Sequence, residues 1–346
     1  MQKNIVELFN CYISNNTHKH PNIDNIDIGL FSYHKIDMIF YEWLIKCNCD
    51  ISEQLIRKKG EIEYKNNKYI EIAKLISKEL IDNGISHVFL KGIYCATNIY
   101  KQYWQRYFGD IDLLVEKKNI KKVENVLLKF GYIYAFESGD GILCPASRSD
   151  VLFQKTFTHE MHNMARIEEN GWISNVDVNF LFSWNGLDTN NTISLLDFKE
   201  HIVYNNDLYF FDDIINYVHL CCHLYNEAVY FALDKNFFGN DPKEVRLDRI
   251  IDIAILSQRL TVSDFNIISN ISIRYNLSEK ICFSILLVDQ LLKINIAKNI
   301  EGKLNYHKVD FAKYISRNKK VVKWPISIEE RVFNLGKKEK IVEELF

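Results

Sequence analysis

The chain has 346 residues, of which 47% are hydrophobic and 25% are charged, and its formal net charge is -2. This composition is typical of a globular protein and argues against a disordered chain. A protein that coats nucleic acid usually carries a clear basic excess, so we expect no general DNA binding, although a local basic groove stays open. The chain begins without a signal-peptide pattern and has no run of about 18 apolar residues, so we expect a cytoplasmic protein without membrane association.

The 8 cysteines are scattered along the chain. Their close pairs are Cys47 with Cys49 and Cys221 with Cys222, and neither pair has the Cys-x-x-Cys spacing of a zinc or redox motif. We therefore expect reduced thiols that pack mostly in the core.

The first 103 residues predict helices, then a buried strand, then a further helix. Apolar residues at helical spacing predict short helices over about 6–48 and a longer amphipathic helix over 52–82, ended by Asn83-Gly84. The β-branched run 85–90 predicts a buried strand, closed by Lys91-Gly92, and a helix follows to about residue 103. Such a strand, glycine turn and helix start direct backbone N–H groups at an anion.

Beyond residue 115 the pattern predicts a helix over 118–130 and then strands. The predicted strands are 132–136, 151–157, 160–167 and 172–180. From about residue 195 the periodicity is helical, with predicted helices over 214–231, 245–260, 262–275 and 278–296. This order predicts an α+β fold with an N-terminal helical segment (1–60), a mixed α/β core (61–185) and a C-terminal helical domain (186–346).

Two aspartates, Asp110 and Asp112, stand two residues apart on the predicted strand that ends at Val115. Side chains alternate along a strand, so both carboxylates point to one face, roughly 6–7 Å apart. Like charges this close repel each other unless a metal or a basic partner neutralises them. The alternative is a surface strand edge with two solvated acids. Asp177, between two valines on a later strand, adds a third carboxylate to the predicted sheet.

This order of motifs resembles the nucleotidyltransferase superfamily typified by DNA polymerase β. More narrowly, the chain is similar to the bacterial uncharacterised nucleotidyltransferase family over roughly residues 60 to 260. The matching motifs are Leu90-Lys91-Gly92, Arg106, Asp110-Ile111-Asp112-Leu113-Leu114-Val115 and Val176-Asp177-Val178, with weaker matches at Leu220-Cys221-Cys222-His223 and over 247–254. The chain departs from the pattern where Ile93 follows Gly92 and where Asn179-Phe180 replaces His-Trp.

The resemblance implies a polymerase β-type core with a small mixed sheet, and transfer of an NMP from an NTP to an acceptor hydroxyl with release of pyrophosphate. It implies that Asp110, Asp112 and Asp177 are catalytic and bind two Mg²⁺ ions, with Mn²⁺ as the alternative. It also implies that the triphosphate is held at the Gly92 turn, where Lys91 or Arg106 offsets its charge.

Each supporting residue also has a structural alternative. Lys91 could be a surface lysine, and Arg106 could form a structural ion pair with Asp110. His223 could be a core histidine, and Asp252 could pair with Arg249 on its own helix.

Three residues are candidates for the acceptor side of the site, namely His162, His223 and Asp252. His162 belongs to the run His159-Glu160-Met161-His162, whose histidines are three apart on a predicted strand. A zinc-protease helix needs them four apart, so this run does not predict a zinc site.

The acceptor itself stays open between a small molecule, a peptide or protein, and a tRNA. Two other functions also stay open: a catalytically degenerate protein of the same fold that binds a nucleotide or a partner, and a γ-phosphotransferase.

Overall fold

The computed structural model describes residues 2–14, 28–138, 141–184, 193–230, 245–304, 309–315, 320–338 and 341. Contacts divide the chain into two compact units. The sheet unit is Gly60–Asn216, and the helical unit combines Met1–Lys59 with Tyr217–Phe346. These units differ from the three predicted segments, because the two ends of the chain fall in one unit and the sheet unit extends beyond residue 185.

A six-stranded mixed sheet with the strand order β1-β2-β6-β5-β3-β4 forms the centre of the sheet unit. Its strands are β1 (His87–Phe89), β2 (Ile111–Val115), β3 (Ile133–Glu137), β4 (Leu143–Pro145), β5 (Met164–Ile167) and β6 (Ile173–Asn179). Strands β2 and β6 run parallel, and the other neighbours run antiparallel. All five residues of β2 are buried, so this strand lies in the core of the unit.

Helices and a hairpin complete the sheet unit. Its helices are α4 (Glu53–Asp82, which begins in the helical unit), α5 (Lys91–Tyr94), α6 (Ile120–Lys129) and α7 (Arg148–Phe157). A π-helical turn, Cys95–Ile99, continues α5, and 3-10 turns cover Tyr103–Gln105, Lys117–Asn119 and Leu195–His201. The hairpin consists of β7 (Ile202–Asn205) and β8 (Leu208–Phe211).

The helical unit is assembled from both ends of the chain. Its helices are α1 (Gln2–Ser14), α2 (Ile28–Tyr33), α3 (Asp37–Lys46), α8 (Asp213–Val229, which begins in the sheet unit), α9 (Leu247–Ser257), α10 (Val262–Arg274), α11 (Ser278–Leu292) and α12 (Ile328–Phe333). A 3-10 turn covers Ala297–Asn299, and a small hairpin joins β9 (Lys313–Ile315) to β10 (Val321–Lys323).

The α+β fold class is confirmed, and most predicted elements are present. The prediction of a strand over 151–157 is wrong, because these residues lie in α7. The hydroxyl of Ser147 accepts a hydrogen bond from the Asp150 backbone N–H and caps this helix. The predicted strand over 160–167 begins only at Met164. The hairpin β7–β8 was not predicted, and it lies where the periodicity indicated a helical part of the chain.

In the part of the chain that the structure describes, no helix is long and apolar enough to cross a membrane. The cysteines whose side chains the structure describes are free thiols, namely Cys47, Cys49, Cys95, Cys144, Cys221, Cys222 and Cys282.

Candidate active site

The parallel pairing of β2 with β6 brings two of the predicted acids together. Asp112 on β2 stands in register with Asp177 on β6. Residues paired in this way on neighbouring strands are about 4.8 Å apart and project from the same face of the sheet. Asp112 is buried, whereas Asp177 and Asp110, which directly precedes β2, are half-buried. The sheet therefore places Asp177 beside the Asp-x-Asp motif, although the two lie far apart in sequence.

The ammonium group of Lys91 lies at these carboxylates. Its Nζ is 2.6 Å from Oδ1 of Asp112, to which it donates a hydrogen bond. Burial lowers the pKa of Lys91, but the charges of Asp112, Asp110 and Asp177 outweigh this effect and raise its pKa overall. Lys91 is therefore a half-buried cation that pairs with Asp112 and is stabilised by the charges of Asp110 and Asp177.

Burial raises the pKa of Asp112, Lys91 opposes this shift, and the charges of Asp110 and Glu160 add to it, so that the pKa reaches about 6. The net upward shift means that the ammonium of Lys91 does not compensate fully for burial and for the neighbouring acids. The cluster thus favours additional positive charge.

The Lys91-Gly92 turn packs directly against the segment that leads into Asp110. A Cβ atom added at Gly92 would lie 2.4 Å from Cβ of Phe108, a distance that real side chains do not adopt. Glycine is therefore required here for close approach. The backbone N–H of Leu90 also donates to the Asp112 carbonyl at 3.0 Å, so the turn lies next to the Asp-x-Asp strand.

Helix α4 holds the loop before Asp110 through two buried side chains. Asn66 Nδ2 donates to the carbonyls of Tyr103 and Arg106, at 2.7 and 2.9 Å. The phenol of Tyr69 donates to the Gly109 carbonyl at 2.5 Å. Neither residue was predicted from the sequence. The available signal for Asn66 was an asparagine on the apolar face of an amphipathic helix.

Arg106 lies within this loop and is almost fully buried. Its Nη1 donates to the Tyr107 carbonyl at 2.6 Å, so part of the guanidinium stabilises the loop itself. This local bond gives Arg106 a structural role beside the phosphate-binding role that the resemblance implies.

Glu160 is a fourth acid near Asp112, and its position in the sequence did not predict this. Its backbone forms a bridge with Asn179 at the end of β6, two residues beyond Asp177. Its charge contributes to the raised pKa of Asp112. Its carboxylate lies 3.4 Å from both Gln154 Nε2 and His159 Nε2, and these long contacts hold it only weakly.

Comparison with protein families matches residues 29–293 to a family described as uncharacterised nucleotidyltransferase, which is more than half of the chain. The chain belongs to this family. No curated protein and no solved structure gives a significant match. The resemblance derived from the motifs is thereby confirmed, and the match extends further in both directions than residues 60 to 260. The protein is an enzyme of the nucleotidyltransferase type, and its substrate is a nucleotide.

The three candidate acceptor-side residues of this nucleotidyltransferase fall in different units. His162 is in the sheet unit, where its Nδ1 lies 3.1 Å from the Asn163 carbonyl. His223 and Asp252 are in the helical unit. His223 Nε2 lies 3.5 Å from Glu227, which also forms an ion pair with Arg249, and Asp252 is fully buried.

The donor set of the nucleotidyltransferase at β2 and β6 suits a hard divalent cation. Carboxylate oxygens are the ligands that Mg²⁺ prefers, and the raised pKa of Asp112 reflects a site that favours more positive charge. Among the described residues, no group of three or more His, Cys, Asp or Glu side chains is already arranged around a metal position. The Asp112 carboxylate is instead paired with the Lys91 ammonium.

Proposed function

We propose that this enzyme transfers an NMP from an NTP to an acceptor hydroxyl at the site formed by Asp110, Asp112 and Asp177. The observation that supports this most strongly is the register of Asp112 with Asp177 beside the ammonium of Lys91. It joins the Asp-x-Asp motif, the third acid and the Lys-Gly turn in one place. We propose that the three aspartates hold two Mg²⁺ ions, or Mn²⁺, which would align the attacking and leaving oxygens and offset their charge.

The residues of the chain have separate tasks in this reaction. Asp177 is half-buried, and we assign to it the acceptance of the proton from the attacking hydroxyl. The acceptor oxygen forms a bond to the α-phosphorus as the bond to the β-phosphate bridging oxygen breaks. Pyrophosphate leaves with that electron pair, and the positive charges of Lys91 and Arg106 stabilise it. Gly92 lets the turn pack against Phe108, and this close packing keeps the turn next to the Asp-x-Asp strand.

The acceptor class remains the subject of the test: a small molecule, a peptide or protein, or a tRNA. The experiment is incubation with Mg²⁺ and NTPs labelled at the α or the γ position, with cell extract as the source of acceptors. We expect α-label to be transferred by the wild type and lost in Asp112→Asn and Asp177→Asn. The matched control is Asp82→Asn, an exposed aspartate at the end of α4, which should retain activity.

Each alternative function has its own outcome in this experiment. Transfer of the γ-label alone would make the protein a phosphotransferase. Binding of NTP by calorimetry without transfer of either label would indicate a degenerate, binding-only member of the family. Full activity in both active-site variants would exclude this carboxylate cluster as the active site.

A further inference from the structure

Lys91 occupies the carboxylate at which a divalent cation would bind in the proposed reaction. The ammonium is 2.6 Å from Oδ1 of Asp112, and this aspartate is almost completely enclosed by the sheet. A divalent cation bound to the same carboxylate would come to rest within a few ångströms of the ammonium. Two cations at that distance repel each other strongly in a buried site. One of them is therefore expected to leave when the other binds.

The two partners differ in their freedom to move. The side chain of Asp112 is 3% exposed, whereas that of Lys91 is 23% exposed. Lysine is a point charge on a flexible four-carbon chain, so its ammonium can swing away while its backbone stays in place. The Lys91 backbone is constrained by its position at the start of α5, where φ is 46°. These features allow the ammonium to leave Asp112 without moving the turn.

We propose that Lys91 is an exchangeable counter-ion. It partly offsets the charge of the aspartates, through its ion pair with Asp112, before cations bind. It leaves Asp112 when they bind and then pairs with the phosphates of the nucleotide. This inference rests on the proposed cation site, and it adds what the Lys91 side chain does before and after the cations bind. The ammonium released from Asp112 can bind a phosphate, so cation binding should strengthen phosphate binding. By thermodynamic linkage, phosphate binding should strengthen cation binding by the same factor.

Amine modification of the wild-type protein tests the exchange directly. Short exposure to acetic anhydride, followed by peptide mass spectrometry, reports how accessible each lysine is. Lys155 is an internal reference in the same unit, because its Nζ pairs with Glu124 at 2.9 Å and its side chain is 25% exposed. We expect Mn²⁺ to increase the modification of Lys91 about threefold or more relative to Lys155, and added inorganic pyrophosphate to reverse the increase.

Calorimetric titration with Mn²⁺ separates failure of the exchange from failure of the cation site. We expect Lys91→Gln to bind Mn²⁺ about tenfold more tightly than the wild type, with no change in Lys155→Gln. Mn²⁺ binding to the wild type without increased modification of Lys91 would overturn the exchange and leave the cation site intact. The absence of Mn²⁺ binding in both the wild type and Lys91→Gln would overturn the cation site and the exchange together.

Discussion

Asp112 is buried, negatively charged and close to two further aspartates, a combination that a folded protein retains only where the charge is compensated. The sequence predicted that Asp110 and Asp112 share a face, because side chains alternate along a strand. It could not predict the contact of Lys91 with Asp112 or the proximity of Glu160, because both depend on how distant segments pair. The sequence therefore predicted which acids share a face of the sheet, but not which charged side chains lie beside them.

Binding of Mn²⁺ should depend on pH through Asp112. Burial raises the pKa of this carboxyl from its ordinary 3.8 to about 6, so it is ionised at pH 8 and mostly protonated at pH 5. The proton and the cation compete for the same oxygens, so we expect the affinity to fall by about tenfold per pH unit below pH 6. Calorimetry between pH 5 and 8 measures this, and an affinity that stays constant from pH 7 to pH 5 would refute it.

The hydroxyl of Tyr69 should matter for the site more than for stability. Tyr69→Phe removes the hydrogen bond to the Gly109 carbonyl, directly before Asp110, at a cost of about 1 kcal/mol. We expect Mn²⁺ affinity and α-label transfer to fall about tenfold, because Asp110 is no longer held in place. The control Tyr132→Phe removes a buried hydrogen bond to Ser174 elsewhere in the sheet. Equal loss of function in both variants would contradict a positioning role for Tyr69.

At the scale of elements, replacing glycine by alanine should lower the free energy of unfolding in the Lys91-Gly92 turn and raise it in helix α4. Gly92→Ala places a methyl group 2.4 Å from Cβ of Phe108. This Cβ atom is bonded to the backbone, so it cannot move away freely. We expect a loss of about 1–3 kcal/mol in the free energy of unfolding. Gly60→Ala, on an exposed part of α4 with no atom within 4 Å of the added group, should instead stabilise by up to about 1 kcal/mol. Urea unfolding measures both changes, and a change of the same sign in both variants would show that close packing at Gly92 does not determine the effect.

Helix α7 shows why one predicted element was wrong. The apolar and β-branched residues over 151–157 are compatible with a strand, and the cap formed by Ser147 is the competing signal. In the structure α7 has no buried residue, and exposed Leu152, Phe153 and Phe157 produced the misleading apolar pattern. A pattern of apolar residues distinguishes a strand from a helix reliably only when those residues are buried.

At the scale of the whole molecule, the sequence could not predict that the helical unit is built from both ends of the chain. The sheet unit extends beyond residue 185 because the hairpin β7–β8 packs on it, with the rings of His87 and Tyr209 5.5 Å apart. In the helical unit, buried His34 accepts a hydrogen bond from the Leu247 N–H and donates one to the Val332 carbonyl. Such contacts between distant segments leave no periodic signal in the sequence.

His34 should make the stability of the protein sensitive to acid. Burial lowers its pKa from 6.5 to about 4, so the unfolded chain takes up this proton at a higher pH than the folded chain. The stability that His34 contributes is therefore present above pH 6.5 and declines as the pH falls towards 4. We expect the wild type to lose about 2 kcal/mol relative to His34→Gln between pH 7.5 and pH 5. Urea unfolding followed by tryptophan fluorescence at both pH values measures this difference. A constant difference between the two proteins would show that His34 does not link the segments as a neutral ring.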